Sequence, residues 1–322
     1  LALWYGIKPL SEEWWTRAKQ YLSCAARNGV NMILTPVFTP PLDTPVGKER
    51  LTVQLVEVER TQDPQNPWRF GFDPLKRWIV VCETCKIRYF EISHLFSQWG
   101  AAYAPKIEIQ DGGRCVRAFG WGVRADDPAY IEFLNAFLPK LTEFLKGEGV
   151  WERCFFHVSD EPSGQQLDSY RKANETVRAH IGKRPVMDAI SDLSFYEEGL
   201  IDLPVCASDR IGPFLEKKVD PLFAYYCCAQ SCGVSNRFLG MPSVRNRCIG
   251  IQLYRNRVKG FLHWGYNYWL TPGSAGLLDP YAVTDCQKTF PAGDVFSVYP
   301  GKDGPVESIR QVVFYEAMQD AR

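Results

Sequence analysis

Apolar positions along the chain fall into two alternating kinds of segment. One is a short, nearly unbroken apolar run; the other spreads its apolar residues at helical spacing. Ser11-Glu12-Glu13 has the form of a capped helix start with carboxylates in the first turn, and the helix continues from Trp14 to Asn28, where Gly29 ends it. NMILTPVF, from Asn31, then reads as a buried strand running into a proline-rich turn. A long excursion comes next. LTVQLVEVE, Leu51 to Glu59, alternates like a hairpin strand; Asp73 to Lys86 is helical; RYFEISHLF, Arg88 to Phe96, is the next buried strand. The most regular amphipathic helix places Tyr130, Phe133, Leu134, Phe137, Leu138, Leu141, Phe144 and Leu145 on one face. A kink is expected at Pro139, and Gly147 and Gly149 close the helix. CFFHVSDEP is the next strand.

The remainder repeats the pattern at shorter spacing. A helix over Gly164 to Ile181 leads to the strand PVMDAIS, and a short helix over Leu193 to Leu200 leads to LPVCASD. A short helix over Gly212 to Lys218 leads to PLFAYYCC, and one over Val244 to Val258 leads to KGFLHWGYNYW. The last helix is predicted to start near Pro305 and run through SIRQVVFYEAMQD. Strand, helix, strand repeated in this way, with apolar strands, means a parallel sheet covered by helices. The C-terminal ends of the seven predicted strands carry His94, Asp160, Glu161, Asp188, Asp209, Tyr225, His263 and Trp264. A (β/α)8 barrel builds its site at that end of its strands. A doubly wound sheet usually carries a glycine-rich phosphate loop, and no G-x-G-x-x-G or Walker sequence is present. The expected fold is therefore α/β: a single (β/α)8 TIM-type barrel over residues 1–322, lacking its first strand in this chain. That strand is expected to lie before residue 1.

Composition narrows the function classes. Hydrophobic residues are 46% and charged residues 23% of the 322, as in a soluble globular protein with a sizeable core. A net charge of zero gives no bulk attraction to nucleic acid or an anionic membrane. No apolar run approaches the roughly 18–20 residues of a membrane span. LALWYGIKPL has no basic segment leading into an apolar core, so no signal peptide is expected; it also lacks an initiator Met. The eleven cysteines are odd in number, and Cys24, Cys82, Cys154, Cys206 and Cys248 lie inside apolar segments. They read as buried free thiols, which favours a reducing, cytoplasmic setting. Neither Cys82-x-x-Cys85 nor the group Cys227, Cys228 and Cys232 supplies the four convergent ligands of a zinc site, so no metal is expected.

The chemistry concentrates in FFHVSDEP, where an apolar run ends in adjacent carboxylates, Asp160 and Glu161, and then Pro162. Asp, Glu, Pro and Ser before a helix are also good capping residues. The buried strand ahead of them and their place at its end favour a site. Adjacent strand residues face opposite ways, but the last ones bend into the loop and Pro162 fixes that exit. Two carboxylates in a water-poor mouth repel, which is expected to keep Glu161 protonated as an acid while Asp160 stays charged. Glycoside hydrolysis is the commonest use of such a pair. Ordinary retaining and inverting glycosidases draw their carboxylates from different strands. Two adjacent in sequence fit a substrate-assisted scheme, in which the sugar's own 2-acetamido oxygen attacks the anomeric carbon. Asp160 would hold and polarise the acetamido N–H; Glu161 would protonate the leaving oxygen and then deprotonate water.

HVSDEPS resembles the catalytic segment of glycoside hydrolase family 123, the β-N-acetylgalactosaminidases. NMILTPVFTPPLDT, YFEISHLFSQWGA, YYCCAQSCGVSNRF, GFLHWGYNYW and YPGKDGPVESIR are similar to the same family, in one order over nearly the whole chain. The resemblance implies a retaining exo-acting enzyme that removes terminal β-linked N-acetylgalactosamine without a metal or organic cofactor. Asp160 and Glu161 match the family's adjacent Asp-Glu pair. Family members usually carry a β-sandwich ahead of the barrel and a first barrel strand with polar residues at its end, and this chain departs from both. Two alternatives stay open: a retaining glycosidase of other specificity with a second carboxylate such as Asp209 as nucleophile, and a non-catalytic carbohydrate-binding barrel.

Further residues are expected to line the pocket for a glycan ending in N-acetylhexosamine. A hydroxyl of Tyr225 or Tyr226 could bond the acetamido carbonyl, or one ring could be core and the other surface. Trp264, Tyr266 and Tyr268 fall on one face if the last strand runs that far, with Trp264 the first choice as a floor under the sugar. At 14% aromatic content, packing is the competing reading. His94 and Trp99 come at and after the end of the third strand, and His94 is either a sugar ligand or a satisfied structural group. His157 reads as an orienting or core histidine. Asp188, Asp192 and Asp209 are candidates for sugar hydroxyls, Asp43 is a capping or mouth residue, and GKDGP is a turn before the last helix rather than a phosphate loop.

Overall fold

Each of the seven apolar runs forms a strand in the computed structural model, which describes residues 1–322. Met32–Thr35, Tyr89–Ile92 and Cys154–Phe156 form a parallel three-stranded sheet with Tyr89–Ile92 in the middle. Met187–Ile190, Leu203–Ala207, Phe223–Tyr225 and Gly260–Leu262 lie side by side in a four-stranded sheet. Phe223–Tyr225 pairs in parallel with the strand on either side. The class is thus α/β with parallel sheets. The chain divides into two compact units: one holds Asn31–Asp188 and Ser194–Asp202, the other Leu1–Val30, Ala189–Leu193 and Leu203–Arg322.

Three of the strands stop earlier than their apolar runs suggest. Tyr89–Ile92 ends before His94, Cys154–Phe156 before His157, and Gly260–Leu262 before Trp264. At the second of these the cause is visible. The N–H groups of Val158 and Ser159 donate to the side-chain carboxylate of Asp188 (3.0 and 3.2 Å) instead of to a strand. A side chain replaces the ladder, and the backbone is free to turn.

In the first unit, helix Pro128–Gly147 lays one long apolar face on the core. Asp127 caps it by accepting from the Ala129 N–H, and Pro128 takes the first helical position. Tyr130, Phe133, Leu134, Phe137, Leu138, Leu141 and Leu145 are all buried. The Phe133 ring lies 4.8 Å from Phe119 and 5.1 Å from Trp68, and Phe137 lies 4.6 Å from Phe38. The helix runs through Pro139, which sits on its exposed face. Trp68 and Phe119 belong to a four-stranded sheet in the order Trp68–Gly71, Glu57–Arg60, Ile107–Asp111, Arg114–Phe119. Of the alternating segment Leu51 to Glu59, only the end is strand. Leu55 and Val56 are buried and donate to the carbonyls of Pro36 and Val37.

In the second unit, helix Glu12–Arg27 is capped by Ser11, whose Oγ accepts from the Trp14 N–H. It buries Tyr21 and Cys24 against Trp269, Phe296 and Val298. The residues ahead of it, Ala2–Tyr5, are a helical turn. The last helix begins at Ile309, not near Pro305, because Gly304–Glu307 pairs antiparallel with Val298–Gly301 and GKDGP closes that hairpin. Ser308 then caps the helix. Helices Ser243–Arg255 and Ile309–Asp320 meet at Gly250, where a Cβ would stand 1.9 Å from the Ala317 carbonyl oxygen. All eleven cysteines are free, and no helix is long and apolar enough to cross a membrane.

Gly250→Ala should therefore lower stability by about 1–3 kcal/mol, since the obstacle is backbone and not a movable side chain. Urea unfolding of the two proteins measures this, and an unchanged midpoint would show that the helices can separate at no cost.

Candidate functional site

Three segments just past strand ends in the first unit are tied together around Asp160. Its Oδ2 accepts a hydrogen bond from Gln98 Nε2 at 2.8 Å. Gln98 Oε1 in turn accepts the Asp43 N–H at 2.9 Å. A backbone N–H can only donate, so Asp43 fixes which way the amide points and which end faces Asp160. The Asp160 carbonyl accepts from the Trp99 N–H at 2.9 Å. Ser159 Oγ donates to the Ser97 carbonyl at 2.7 Å and accepts from the Ala101 N–H at 3.1 Å. Gln166 Nε2 donates to the Trp99 carbonyl at 2.6 Å while its Oε1 accepts the Ser163 N–H at 2.8 Å.

The backbone here is strained. Asp43, Trp99, Ala101 and Glu161 have φ of 47°, 58°, 54° and 46°, a region that non-glycine residues rarely occupy. Each such residue costs of order 1–3 kcal/mol and persists only where the surroundings over-determine it. Gly100, at φ 109°, has a further reason to be glycine: a Cβ there would lie 2.5 Å from Gln166 Cδ.

Behind these loops lies a buried ionic cluster. His157 Nδ1 is 2.9 Å from Asp188 Oδ1, and its Nε2 is 3.2 Å from Glu91 Oε2. Burial pulls the imidazole downward, but the hydrogen bonds and charges of Asp188 and Glu91 outweigh it and push His157 up to about 10. Asp188 has no exposure, and its Oδ2 accepts from Tyr170 Oη at 2.6 Å as well as from Val158 and Ser159. His94 stacks on His157 with ring centroids 4.3 Å apart, and its Nε2 is 3.6 Å from Asp188 Oδ1. Neither His94 nitrogen has a hydrogen-bond partner. Burial, and then the charge of His157, push His94 well below the usual imidazole value. Donor atoms of His94, His157 and Asp188 lie within 4.8 Å of one another. Both nitrogens of His157 and both oxygens of Asp188 are already committed to protein partners, which a metal would have to displace.

Asp160 is pushed well above the ordinary carboxylate range, first by burial and then by the charges of Glu161, Asp188 and Asp43, with His157 opposing. The sequence alone assigned the upward shift to its neighbour. It falls on Asp160, where burial acts first and the charges of Glu161, Asp188 and Asp43 add to it.

The expected pocket residues divide by unit. Asp160 and Trp99 share one loop network, with Trp99 half exposed, and Glu161 follows Asp160 and is half-buried. His94 and Asp188 come together through His157, but both are buried rather than open to a ligand. Asp209, Tyr225, Tyr226, Trp264 and Tyr266 belong to the second unit. Tyr226 is fully buried and its hydroxyl donates to Asn246 Oδ1 at 2.9 Å; Tyr225 is also buried. Tyr266 donates to the Tyr21 carbonyl at 3.0 Å. Trp264 is half-buried, its Nε1 donates to Asp294 Oδ1 at 3.3 Å, and its ring packs on Tyr268 and Phe290. The strand ends at Leu262, so no alternating face joins Trp264, Tyr266 and Tyr268. Asp209 is exposed and accepts from Gln230 Nε2 at 2.9 Å.

Sequence reasoning missed Glu91, Gln98 and Tyr170. Glu91 had a signal, as the one charge inside the run YFEI. Tyr170 looks like any core aromatic of a helix, and Gln98 carries no local mark.

An adjacent Asp-Glu pair at a strand exit of a parallel α/β fold suits the catalytic domain of a glycoside hydrolase, and comparison with known families agrees. Residues 1–322 match the model of the glycoside hydrolase 123 catalytic domain. The chain belongs to glycoside hydrolase family 123. Among solved structures it is similar to a family 123 glycoside hydrolase from Clostridium perfringens, studied for glycolipid glycan hydrolysis, with TM-score 0.72 and 13% identity. That match covers 99% of this chain and 56% of the other, so this chain spans little more than half the length of that relative. An endo-β-1,4-glucanase from Xanthomonas axonopodis pv. citri, in a triply substituted form, is similar at TM-score 0.50 and 13% identity, over 94% of this chain and 91% of the other. At such identities the likeness is one of fold. No curated protein sequence matches the chain.

His157 gives a pH prediction. Its folded value is raised, so its contribution to stability is complete below the ordinary imidazole value of about 6.5 and is lost as pH rises through about 10. Denaturant midpoints should fall over that window, and they should fall less in His157→Gln. Parallel pH profiles for the two proteins would contradict the assignment.

Proposed function

We propose that the chain is the catalytic part of a retaining exo-glycosidase that releases terminal β-linked N-acetylgalactosamine by substrate assistance. The observation that carries this reading is the environment of Asp160. The charges of Glu161, Asp188 and Asp43 make a negative potential around it. The potential that resists ionisation of Asp160 is the same potential that favours positive charge on a group placed beside it. An oxazolinium ion formed from the sugar's acetamido group carries that charge.

In this scheme the acetamido oxygen bonds to the anomeric carbon as the glycosidic C–O bond breaks. Glu161 gives its proton to the departing oxygen. Gln98 occupies Oδ2 of Asp160, leaving Oδ1 to accept the acetamido N–H. Water then attacks the anomeric carbon from the vacated side, the bond from that carbon to the acetamido oxygen breaks, and Glu161 takes the water's proton. Two inversions retain the configuration. The frame adopted for this reading is a (β/α)8 barrel whose second to eighth strands are the seven parallel strands. A covalent route through Asp209 has less support, since that carboxylate is exposed and hydrogen-bonded to Gln230.

Asp160→Asn and Glu161→Gln should each lower kcat on an aryl β-N-acetylgalactosaminide by ~10³-fold or more, and a thiazoline analogue of the oxazolinium ion should inhibit the unsubstituted chain. Full turnover by Asp160→Asn would sink substrate assistance. Binding of N-acetylgalactosamine with no turnover by the unsubstituted chain would instead indicate a binding protein.

A further inference from the structure

We propose that Glu91, His157 and Asp188 are a buried positioning device for the Asp160–Glu161 pair: Asp188 anchors the backbone leading into the pair, and His157 supplies a fixed positive charge to Asp160. The proposal rests on the reading of that pair as the reacting carboxylates, and it gives Asp188 a role other than sugar binding.

Asp188 has no exposed surface, so no sugar hydroxyl reaches it. Its carboxylate accepts from His157 Nδ1, Tyr170 Oη, and the successive N–H groups of Val158 and Ser159. Those two N–H groups lie just past the point where strand Cys154–Phe156 stops, and Asp160 is the next residue. An apolar replacement would leave both buried and unpaired, at a cost of about 1–3 kcal/mol each. The direction in which the chain enters Asp160 therefore depends on where Asp188 sits.

The charge of His157 comes from valence. Ionised carboxylates only accept, and a neutral imidazole carries one N–H. His157 meets Asp188 Oδ1 on one nitrogen and Glu91 Oε2 on the other, and between two carboxylates both contacts require an imidazolium. The third neighbour, His94, stacks on it with neither nitrogen bonded and adds no charge. The groups acting on Asp160 are Glu161, Asp188, Asp43 and His157, of which His157 is the cation; Gln98 adds a neutral donor. Removing that cation leaves Asp160 among carboxyls alone. Buried ion networks of this kind rarely add net stability over apolar packing, and fixing a geometry is their better-attested use.

The test uses the full chain with Asp188→Asn, His157→Gln and Tyr170→Phe, assayed on an aryl β-N-acetylgalactosaminide across pH. Asp188→Asn and His157→Gln should lower kcat by ~10²-fold, with KM held to about threefold, as expected when reacting groups are displaced but binding is kept. His157→Gln should also move the acid limb of kcat/KM upward by about one pH unit, because Asp160 then ionises less readily. Tyr170→Phe, which leaves the backbone anchor in place, should lose about tenfold or less. An unshifted acid limb, or losses confined to KM, overturns the proposal. Imidazole nitrogen NMR of the unsubstituted chain decides the charge even if the variants do not fold. Two protonated His157 nitrogens at about pH 8 are expected, and a neutral ring overturns the device. A chain that hydrolyses no N-acetylhexosaminide would remove the reading of the pair, and the nitrogen shifts would still report whether His157 is a cation.

Discussion

Asp188, joined through His157 to Glu91, makes the contact on which the end of strand Cys154–Phe156 depends. Taking three ionic groups out of water costs several kcal/mol per ion, and that cost is offset only when each donor and acceptor finds a partner. Here they do. His157 uses both nitrogens, and Asp188 uses both oxygens on four donors. Two of those donors are backbone N–H groups, and through them the cluster decides where a strand ends. The sheet stops at Phe156 because a carboxylate, not a neighbouring strand, takes the next hydrogen bonds.

The segment beyond that strand is held just as closely. Ser159 is tied to Ser97 and Ala101, Asp160 to Trp99 and Gln98, and Gln98 to Asp43. Four residues of this network keep backbone angles that cost energy in isolation. The network encloses Asp160 among carboxyl groups, a poor place for one more negative charge and a good place for a cation formed during a reaction. That is a property of placement rather than of any one side chain.

The parallel α/β class and all seven strands were legible in the sequence because buried strands must be apolar on both faces, which leaves a mark at every turn of the repeat. Strand ends were not legible. The apolar run continues past Phe156 into His157 and Val158, and what stops the ladder is Asp188, about thirty residues away. The same distance hid the role of Asp188, which looked like a sugar ligand at a strand end and lies buried beneath the loop. The Asp160–Glu161 pair was conspicuous because adjacent like charges after an apolar run are rare. The upward shift of Asp160 was not legible, since it depends on burial and on distant Asp188 and Asp43 as well as on adjacent Glu161. The last helix was placed too early because Gly304 to Glu307 carries no feature that separates a hairpin arm from a helix start.

Gln166 spans two structures with one amide. It closes the first turn before helix Leu167–Ile181 through Ser163, and it holds the Trp99 carbonyl beside Gly100, which has no side chain to keep it out. The start of that helix and the loop carrying Trp99 are therefore tied by a single side chain. Fraying of the helix would release the carbonyl, and release of the carbonyl would loosen the support of Asp160. Amides from Trp99 to Ala101 and around Ser163 should exchange with solvent at a common rate, so that this part of the protein is whole or melted with little between.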